Sequence, residues 1–392
     1  MPPRTLSRSL TFVMAVAIGV IVANLYYLQP LLHEVKRDFR TNTLGASVLI
    51  TLMQVGYAAG LAFVVPLGDL IPRRRLVVVI FSLAAGAMLL GSLIHSYVLF
   101  AILTVFVGLA SVGGQTIIPF AADLAAEGQR GRVIARLMTG LLSGVLLSRT
   151  LSGVVSEAVG WRGVYVSAAV LLLLMAVVLR LVLPTEAPRE HVPYLRLVSS
   201  SFALLGTFPE LRRRAWFGAT VFAANSVLWT TLAFHLSSAP FHFSNGVIGL
   251  FGLLGVAGVL AANAAGHQAD RNRNERSTFV AAALVAGSFL VLLLGHATVW
   301  ILGLGIVLLD AGVQGMNIVN QSIIYTLAPD MRSRINSIYM VCFFTGASLG
   351  SLAAGFIYSR GGWTGACELG AAIGAITVVP ALWWRAKANS AG

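Results

Sequence analysis

Four polar side chains recur at helical spacing within one apolar stretch of the chain. They are Asp310, Gln314, Asn317 and Gln321. Their separations of four, three and four residues place them in one stripe along a helix face. In hydrocarbon, such a stripe must face a water-filled cavity or other helices. A neutral aspartic acid costs less there than a charged one, so proton uptake by Asp310 would change the preferred conformation.

Arg149 is a second ionisable side chain inside an apolar run. Such a group costs ~2.5–3.5 kcal/mol on insertion scales, so it needs a partner or a purpose. At 1.5 Å per residue, Arg149 and Asp310 lie ~12 Å and ~16 Å from the outer ends of their helices, and a pair between them would offset both costs. The alternative is that Arg149 reaches outward to Glu157 and Asp310 is hydrogen-bonded within its own half. His235 is the next candidate for proton coupling.

Other apolar runs carry sparser polar faces that either line the same cavity or form hydrogen bonds between helices. These side chains are Asn24, Tyr27, Gln54, Tyr57, Gln115, Asn225 and Trp229. We expect a substrate to contact Tyr27, Trp229 and the stripe that begins at Asp310.

These residues lie on twelve segments of about 20 apolar residues, each long enough to cross ~30 Å of hydrocarbon as an α-helix. The chain of 392 residues is 57% hydrophobic and 10% charged, whereas a soluble domain carries about a quarter charged residues. We therefore predict an all-α membrane protein with twelve transmembrane helices. The predicted spans are 10–32, 43–67, 76–94, 97–122, 133–157, 162–183, 214–236, 247–268, 277–296, 298–326, 335–358 and 363–384.

The chain is a duplication. At one fixed offset, Gly153, Gly160 and Trp161 align with Gly355, Gly362 and Trp363. This predicts two six-helix bundles, residues 1–183 and 214–392, joined by a cytoplasmic linker at 184–213. A stripe of small residues lets helix backbones approach closely, and we expect it to serve packing and the rocking interface between the halves. The stripe consists of Gly140, Gly144, Ser148 and Ser152.

The positive charge is concentrated in loops on one side of the predicted bilayer. The formal net charge is +13, and arginines cluster at 73–75, 130–132, 271–276 and 332–334. This distribution is typical of cytoplasmic loops and not of a nucleic-acid groove. It predicts a multi-pass protein of a bacterial-type inner membrane with both termini in the cytoplasm.

The sequence resembles the major facilitator superfamily over its whole length. The stretch from Pro66 to Asp69, followed by Arg73, and the stretch from Gly266 to Arg271 are similar to the family's cytoplasmic motif. The segment ANLYYLQP from Ala23 and the segment GVLLSRTLSG from Gly144 further resemble the arabinose-efflux and purine-ribonucleoside-efflux permeases, a group similar to drug–proton antiporters. The resemblance implies a conformational latch formed by Asp69, Arg73 and Asp123, with Asp270 and Arg271 at the duplicate position.

The resemblance implies a secondary transporter that exports sugars, nucleosides or drug-like molecules by proton antiport and alternating access. The proton gradient would supply the energy, without a cofactor, and the expected partners are the substrate, protons and the lipid bilayer. A monomer suffices for such a fold. HExxH and phosphate-loop motifs do not occur in the sequence, and its GxSxG match at 346–350 lies inside the predicted span 335–358 and not at the strand-to-helix turn of a nucleophile elbow. The alternatives are a proton-coupled importer and a non-transporting membrane receptor.

Overall fold

The computed structural model describes residues 7–126, 128–185, 193–256, 258, 274–328 and 331–390. All regular elements in these ranges are helices, as the sequence predicts. The helices are α1 (Arg8–Ala23), α2 (Leu32–Asp38), α3 (Thr43–Ala59), α4 (Arg73–Leu93), α5 (Tyr97–Ala110), α6 (Gly113–Leu124), α7 (Arg130–Val182), α8 (Tyr194–Thr207), α9 (Pro209–Leu236), α10 (Asn245–Leu250), α11 (Asn274–Leu294), α12 (Val299–Leu327) and α13 (Arg332–Ser390).

Eight helices in the described ranges are long and apolar enough to cross a membrane. Two of them, α7 and α13, each contain two of the predicted spans, because the chain turns at Gly160 (φ 68°) and at Gly362 (φ 57°). Positive φ values are accessible to glycine without the steric cost that other residues incur. The repeated Gly-Trp pair therefore marks the same turn in both halves. With the shorter apolar helices α1 and Asn245–Val256, the described helices account for the twelve predicted spans, and residues 259–268 of the eighth span lie outside the described ranges.

Two predicted spans are interrupted. The first was predicted as a continuous helix at 10–32, but α1 ends at Ala23 and residues 24–31 form a series of turns before α2. Pro30 lacks an amide hydrogen and disfavours the helical conformation of Gln29. The fourth span, predicted at 97–122, is divided into α5 and α6 at residues 111–112. The first interruption places Tyr26 and Gln29 in turns instead of a regular helix.

The predicted linker at 184–213 contains a helix of its own and ends earlier than expected. α8 lies within it, and α9 already begins at Pro209, where proline suits the first helical position. α8 packs against α9, α13 and the turn Val65–Asp69 that continues α3. The Tyr194 hydroxyl donates to the carbonyl of Phe63 at 2.6 Å. This helix thus bridges the first half of the chain, α1 to α7, and the second half, α9 to α13.

The helices alternate in direction, so their ends define two faces. The arginine-rich face carries the starts of α4, α7 and α13 at Arg73, Arg130 and Arg332. The opposite face carries the turns at Gly160 and Gly362 and the start of α10. These two faces are the reference for the sites below.

The small residues of α7 pack within one half. A Cβ on Gly144 would lie 2.5 Å from the Cα of Gly19, and one on Gly140 would lie 2.7 Å from the carbonyl carbon of Ala15. Both neighbours belong to α1. The expectation that these two glycines form the interface between the halves is therefore wrong, because their close contacts are with α1 of the same half.

Candidate functional site

Arg149 lies at the centre of a buried polar site and is 5% exposed. Its Nε donates to Gln29 Oε1 at 2.6 Å. Its guanidinium carbon lies 4.7 Å from the ring centroid of Tyr26 and 3.8 Å from that of Trp229. Cation–π contacts of this kind stabilise a guanidinium that has left water. Arg149 is thus bound jointly by the segment between α1 and α2 and by helix α9 of the second half.

Asp310 faces the same site from α12. Its Oδ1 accepts a hydrogen bond from Asn225 Nδ2 at 3.1 Å. Asp310, Arg149, Trp229 and Gln314 all line a cavity of about 60 Å³. Since a water molecule occupies ~30 Å³ in the liquid, the cavity has room for roughly two. The structure therefore brings Asp310 and Arg149, predicted as partners, to one small cavity.

In this conformation Arg149 and Asp310 do not form a direct ion pair. Among the described residues, the polar side-chain partner of Arg149 is Gln29, and those of Asp310 are Asn225 and the indole N–H of Trp229. The alternative contact from Arg149 to Glu157 is not formed either, because the Glu157 Oε1 accepts from the backbone N–H of Gly246 at 3.0 Å. The second part of the alternative is observed: Asp310 is hydrogen-bonded to Asn225 of its own half.

The polar stripe of α12 divides into two parts. Gln314 lines the small cavity with Asp310. Asn317 and Gln321 belong to a hydrogen-bond network inside the second half, in which the Tyr339 hydroxyl donates to Asn317 Oδ1 at 3.1 Å and Gln321 Nε2 donates to the same oxygen at 3.4 Å. The polar groups at this end of the stripe are therefore hydrogen-bonded to other side chains of the second half.

The remaining predicted residues lie in three kinds of environment. Gln115 lines a larger cavity near the arginine-rich face. Tyr27 and Asn24 are buried, and the Asn24 amide has no hydrogen-bond partner among the described residues. The Tyr57 ring packs 4.3 Å from that of Phe344.

His235, the next candidate, lies at the end of α9. Its ring stacks on Trp363 at 4.1 Å, and its Nε2 lies 3.0 Å from the backbone carbonyl of His296. These contacts fix the imidazole within the second half, away from the cavity of Arg149.

A cavity of about 500 Å³ separates the halves at the arginine-rich face. Asp69, Arg73 and Asp123, the predicted latch, line it on one side, and Arg334 of α13 lines it on the other. Arg73 Nη1 and Asp123 Oδ2 are 2.7 Å apart, and the arginine side chain is 8% exposed. The duplicate latch residues, Asp270 and Arg271, lie outside the described residues.

The halves are in direct contact towards the opposite face. The hydroxyls of Thr51 and Ser351 are 2.8 Å apart, and Gln54 Nε2 donates to the Ser226 hydroxyl at 2.9 Å. We call this contact between α3 and the second half the α3 seam. Gln54 therefore joins the halves in this conformation.

A second contact between the halves, the α7 seam, joins α7 and the neighbouring helix α2 to the segment that begins with α10. Asn245 Nδ2 donates to Glu34 Oε2 at 2.8 Å, and the Thr150 hydroxyl donates to the carbonyl of Gly249 at 3.0 Å. Gly153 packs directly against the carbonyl of Asn245. Together the two seams close the space between the halves above the cavity of Arg149.

Sequence reasoning missed several residues of these sites. Gln29 and Tyr26 lie in the quoted segment ANLYYLQP but were not selected. Glu34 follows the first span and has no pattern that distinguishes it from an ordinary loop acid. One signal was present: glycine occurs at every third position of the eighth span. These glycines are Gly246, Gly249, Gly252, Gly255 and Gly258.

Comparisons with known proteins agree with this architecture. A profile of the Major Facilitator Superfamily matches residues 12–330 and 215–391. Uncharacterized transporter YgaY of Escherichia coli O157:H7 is 42% identical over 384 residues, which cover 98% of this chain and 97% of YgaY. Probable transporter SCO4007 of Streptomyces coelicolor is 31% identical over 372 residues, 95% of this chain and 86% of that protein. Among solved structures, a bacterial homolog of the human lysosomal transporter Spinster aligns with a TM-score of 0.73 at 13% identity, over 96% of each chain.

Proposed function

Since the chain belongs to the major facilitator superfamily, and is thus a multi-pass membrane transporter and not an enzyme, we propose that it exports small organic molecules in exchange for protons. The observation that supports this proposal is the arrangement of charge between the halves. Arg149 of the first half and Asp310 of the second half line one cavity, so any rocking of the halves changes the distance between them.

In this proposal the arginine-rich face is cytoplasmic, as the positive-inside rule favours, and both termini lie on that side. The 500 Å³ cavity then opens towards the cytoplasm, while the two seams close the outer side. Its volume is in the range of small-molecule sites. This conformation suits the capture of a sugar, nucleoside or drug-like molecule from the cytoplasm.

Asp310 is the proposed proton carrier. It is the acidic side chain of the small cavity, and its carboxylate is held by the neutral groups of Asn225 and Trp229 and not by a direct ion pair. A proton on Asp310 removes a buried negative charge and changes the relative free energies of the two conformations. Asp69, Arg73 and Asp123 are the proposed cytoplasmic latch, which closes when the outer seams open.

Flux measurements in proteoliposomes test the direction of coupling. A panel of sugars, nucleosides and drug-like amines is first screened by thermal shift on the purified protein, and each compound that stabilises it is then tested for transport. Antiport predicts accumulation in vesicles with an acidic lumen, together with proton exit. Asp310→Asn should lose the pH-driven accumulation while retaining substrate exchange. Accumulation driven by external acid would instead identify a proton symporter, and hence an importer.

A further inference from the structure

The eighth span presents a glycine ridge to the charged cavity. We give this name to Gly246, Gly249, Gly252, Gly255 and Gly258. The 3₁₀ turn Phe251–Leu253 lies in the middle of the ridge, and in a 3₁₀ turn residues three apart lie on the same side. The turn therefore helps to keep a three-residue repeat directed towards the same neighbours.

One end of the ridge touches the first half at Arg149 itself. A Cβ on Gly249 would lie 2.5 Å from the Arg149 carbonyl oxygen, and one on Gly252 would lie 2.9 Å from the Arg149 Cβ. Real Cβ atoms do not approach so closely, so a side chain at either position would force the halves apart. Arg149 occupies its present place because these two positions are glycine.

The other end of the ridge touches Asp310. A Cβ on Gly255 would lie 3.0 Å from Asp310 Oδ2, and one on Gly258 would lie 2.6 Å from the Asp310 Cβ. The ridge and Asp310 both belong to the second half, so this contact persists when the halves separate. The contact with Arg149 does not, because α7 belongs to the first half.

We propose that the glycine ridge couples closure of the α7 seam to the proton affinity of Asp310. When the seam is closed, the ridge admits Arg149 to the cavity, where its positive charge favours the ionised carboxylate and proton release. When the seam opens, Arg149 withdraws with α7 and Asp310 takes up a proton more readily. This inference rests on the proposed function and specifies how its coupling arises.

Arg149 is the charged group near Asp310 that sets the proton affinity of this carboxyl group. From the other elements that line the cavity, Asp310 faces Tyr26, Trp229, Asn225 and Arg149. Among the described charged groups, Arg149 is the one that lines the small cavity together with Asp310. A nearby opposite charge favours the ionised form of a carboxyl group, and at close range it changes the proton affinity by ~1–3 pH units. The sign fits antiport, because protons are released towards the arginine-rich face, where the large cavity lies, and bound when the opposite side is open.

Infrared titration of the purified protein tests the inference without a known substrate. The carbonyl band of protonated Asp310 is assigned by its loss in Asp310→Asn and followed against pH. Gly252→Ala should raise the proton affinity of Asp310 about tenfold, one pH unit, and Arg149→Gln should do the same. In the double variant the two effects should not add, because both remove the same charge from the cavity. Gly287→Ala, on α11, is the matched control, since a Cβ there meets nothing within 4 Å.

Gly153→Ala provides a second route to the same result if Gly252→Ala does not fold. A Cβ there pushes α7 away from Asn245 and lies 3.2 Å from the Cα of Gly249, while all five glycines of the ridge are retained. An unchanged titration in either variant, once folded, would overturn the proposal. So would a Gly252→Ala shift that persists in the Arg149→Gln background. If the titrations behave as expected but no vesicle experiment gives proton-driven flux, the proposed function fails and the coupling within the cavity remains established.

Discussion

One hydroxyl group in the α3 seam allows the population of the open conformation to be predicted quantitatively. Ser351 of α13 is fully buried. Its hydroxyl lies 2.8 Å from the Thr51 hydroxyl, and its proton is shared between Gln54 Oε1 and the carbonyl of Ser348 on its own helix, both at 3.0 Å. Thr51 and Gln54 both lie on α3, so these two hydrogen bonds exist only while the halves are in contact. Ser351→Ala removes both.

The expected cost is ~2 kcal/mol, since a buried hydrogen bond contributes ~1 kcal/mol net. When the seam opens, the same groups bond to water, so the loss falls mainly on the closed conformation. Each 1.4 kcal/mol is a factor of ten in an equilibrium constant. The open population should therefore rise about thirtyfold in Ser351→Ala.

Cysteine labelling measures this population. Ser47→Cys is the probe, in a background where Cys342 and Cys367 are replaced by serine, because Ser47 is buried against Gly355 in the α3 seam. Reaction with a charged maleimide requires the seam to open, so its rate follows the open population.

Ser348→Ala is the matched control for the labelling. Its hydroxyl bonds to the Phe344 carbonyl of the same helix at 2.8 Å and not to the other half. Equal labelling rates in Ser351→Ala and Ser348→Ala would show that the hydroxyl network does not hold the seam closed.

Two further predictions concern stability and can be checked by thermal unfolding of the purified protein. Arg214 is 1% exposed and donates to Glu210 at 2.6 Å, to the Thr278 hydroxyl at 2.8 Å and to Glu275 at 3.0 Å; Arg214→Met should cost ~2–3 kcal/mol, because it removes hydrogen bonds made by a buried charged group, while Arg213 still pairs with Glu275. Exposed Arg196→Met should change stability by less than ~0.5 kcal/mol, and equal losses in the two variants would contradict the argument. Gly362→Ala should cost ~1–3 kcal/mol because of its positive φ. The neighbouring Gly361→Ala should be neutral or slightly stabilising, since a Cβ there meets nothing within 4 Å; a neutral Gly362→Ala would show that the turn tolerates a side chain.

The sequence predicts the fold well because its signals are long and redundant. An apolar run of bilayer length has few alternatives to a helix, and the repeat of Gly160 and Trp161 at Gly362 and Trp363 marks the turns twice. The interruption after α1 was not predicted, because Asn24 and Gln29 are too few polar residues to end the apolar run through residues 24–31, and hydropathy does not register backbone hydrogen bonding. Pro30 was the available signal.

The site is predicted less completely, since its residues come from four separate elements. Arg149 and Asp310 stand out because charges in an apolar run are costly. Gln29 does not stand out, because its role depends on the distance from its amide oxygen to the Arg149 Nε, which only the fold determines. Asn317 and Gln321 show the converse. Their spacing puts them on the same helix face as Asp310, but Tyr339, distant in sequence from Asp310, occupies that part of the face.

The duplication of the chain has a consequence for how its two seams have diverged. Position 149 of the first half corresponds to position 351 of the second, so the ancestral repeat carried one residue type where arginine and serine now stand. The arginine copy lies in the α7 seam beside the cavity, and the serine copy ties the α3 seam with neutral hydroxyl and amide bonds. Two interfaces of common origin thus differ in role: one supplies a charged residue to the cavity, and the other holds the halves together through neutral hydrogen bonds. Substitutions around Arg149 can therefore change the substrate or the coupled ion without weakening the hydrogen bonds of the α3 seam.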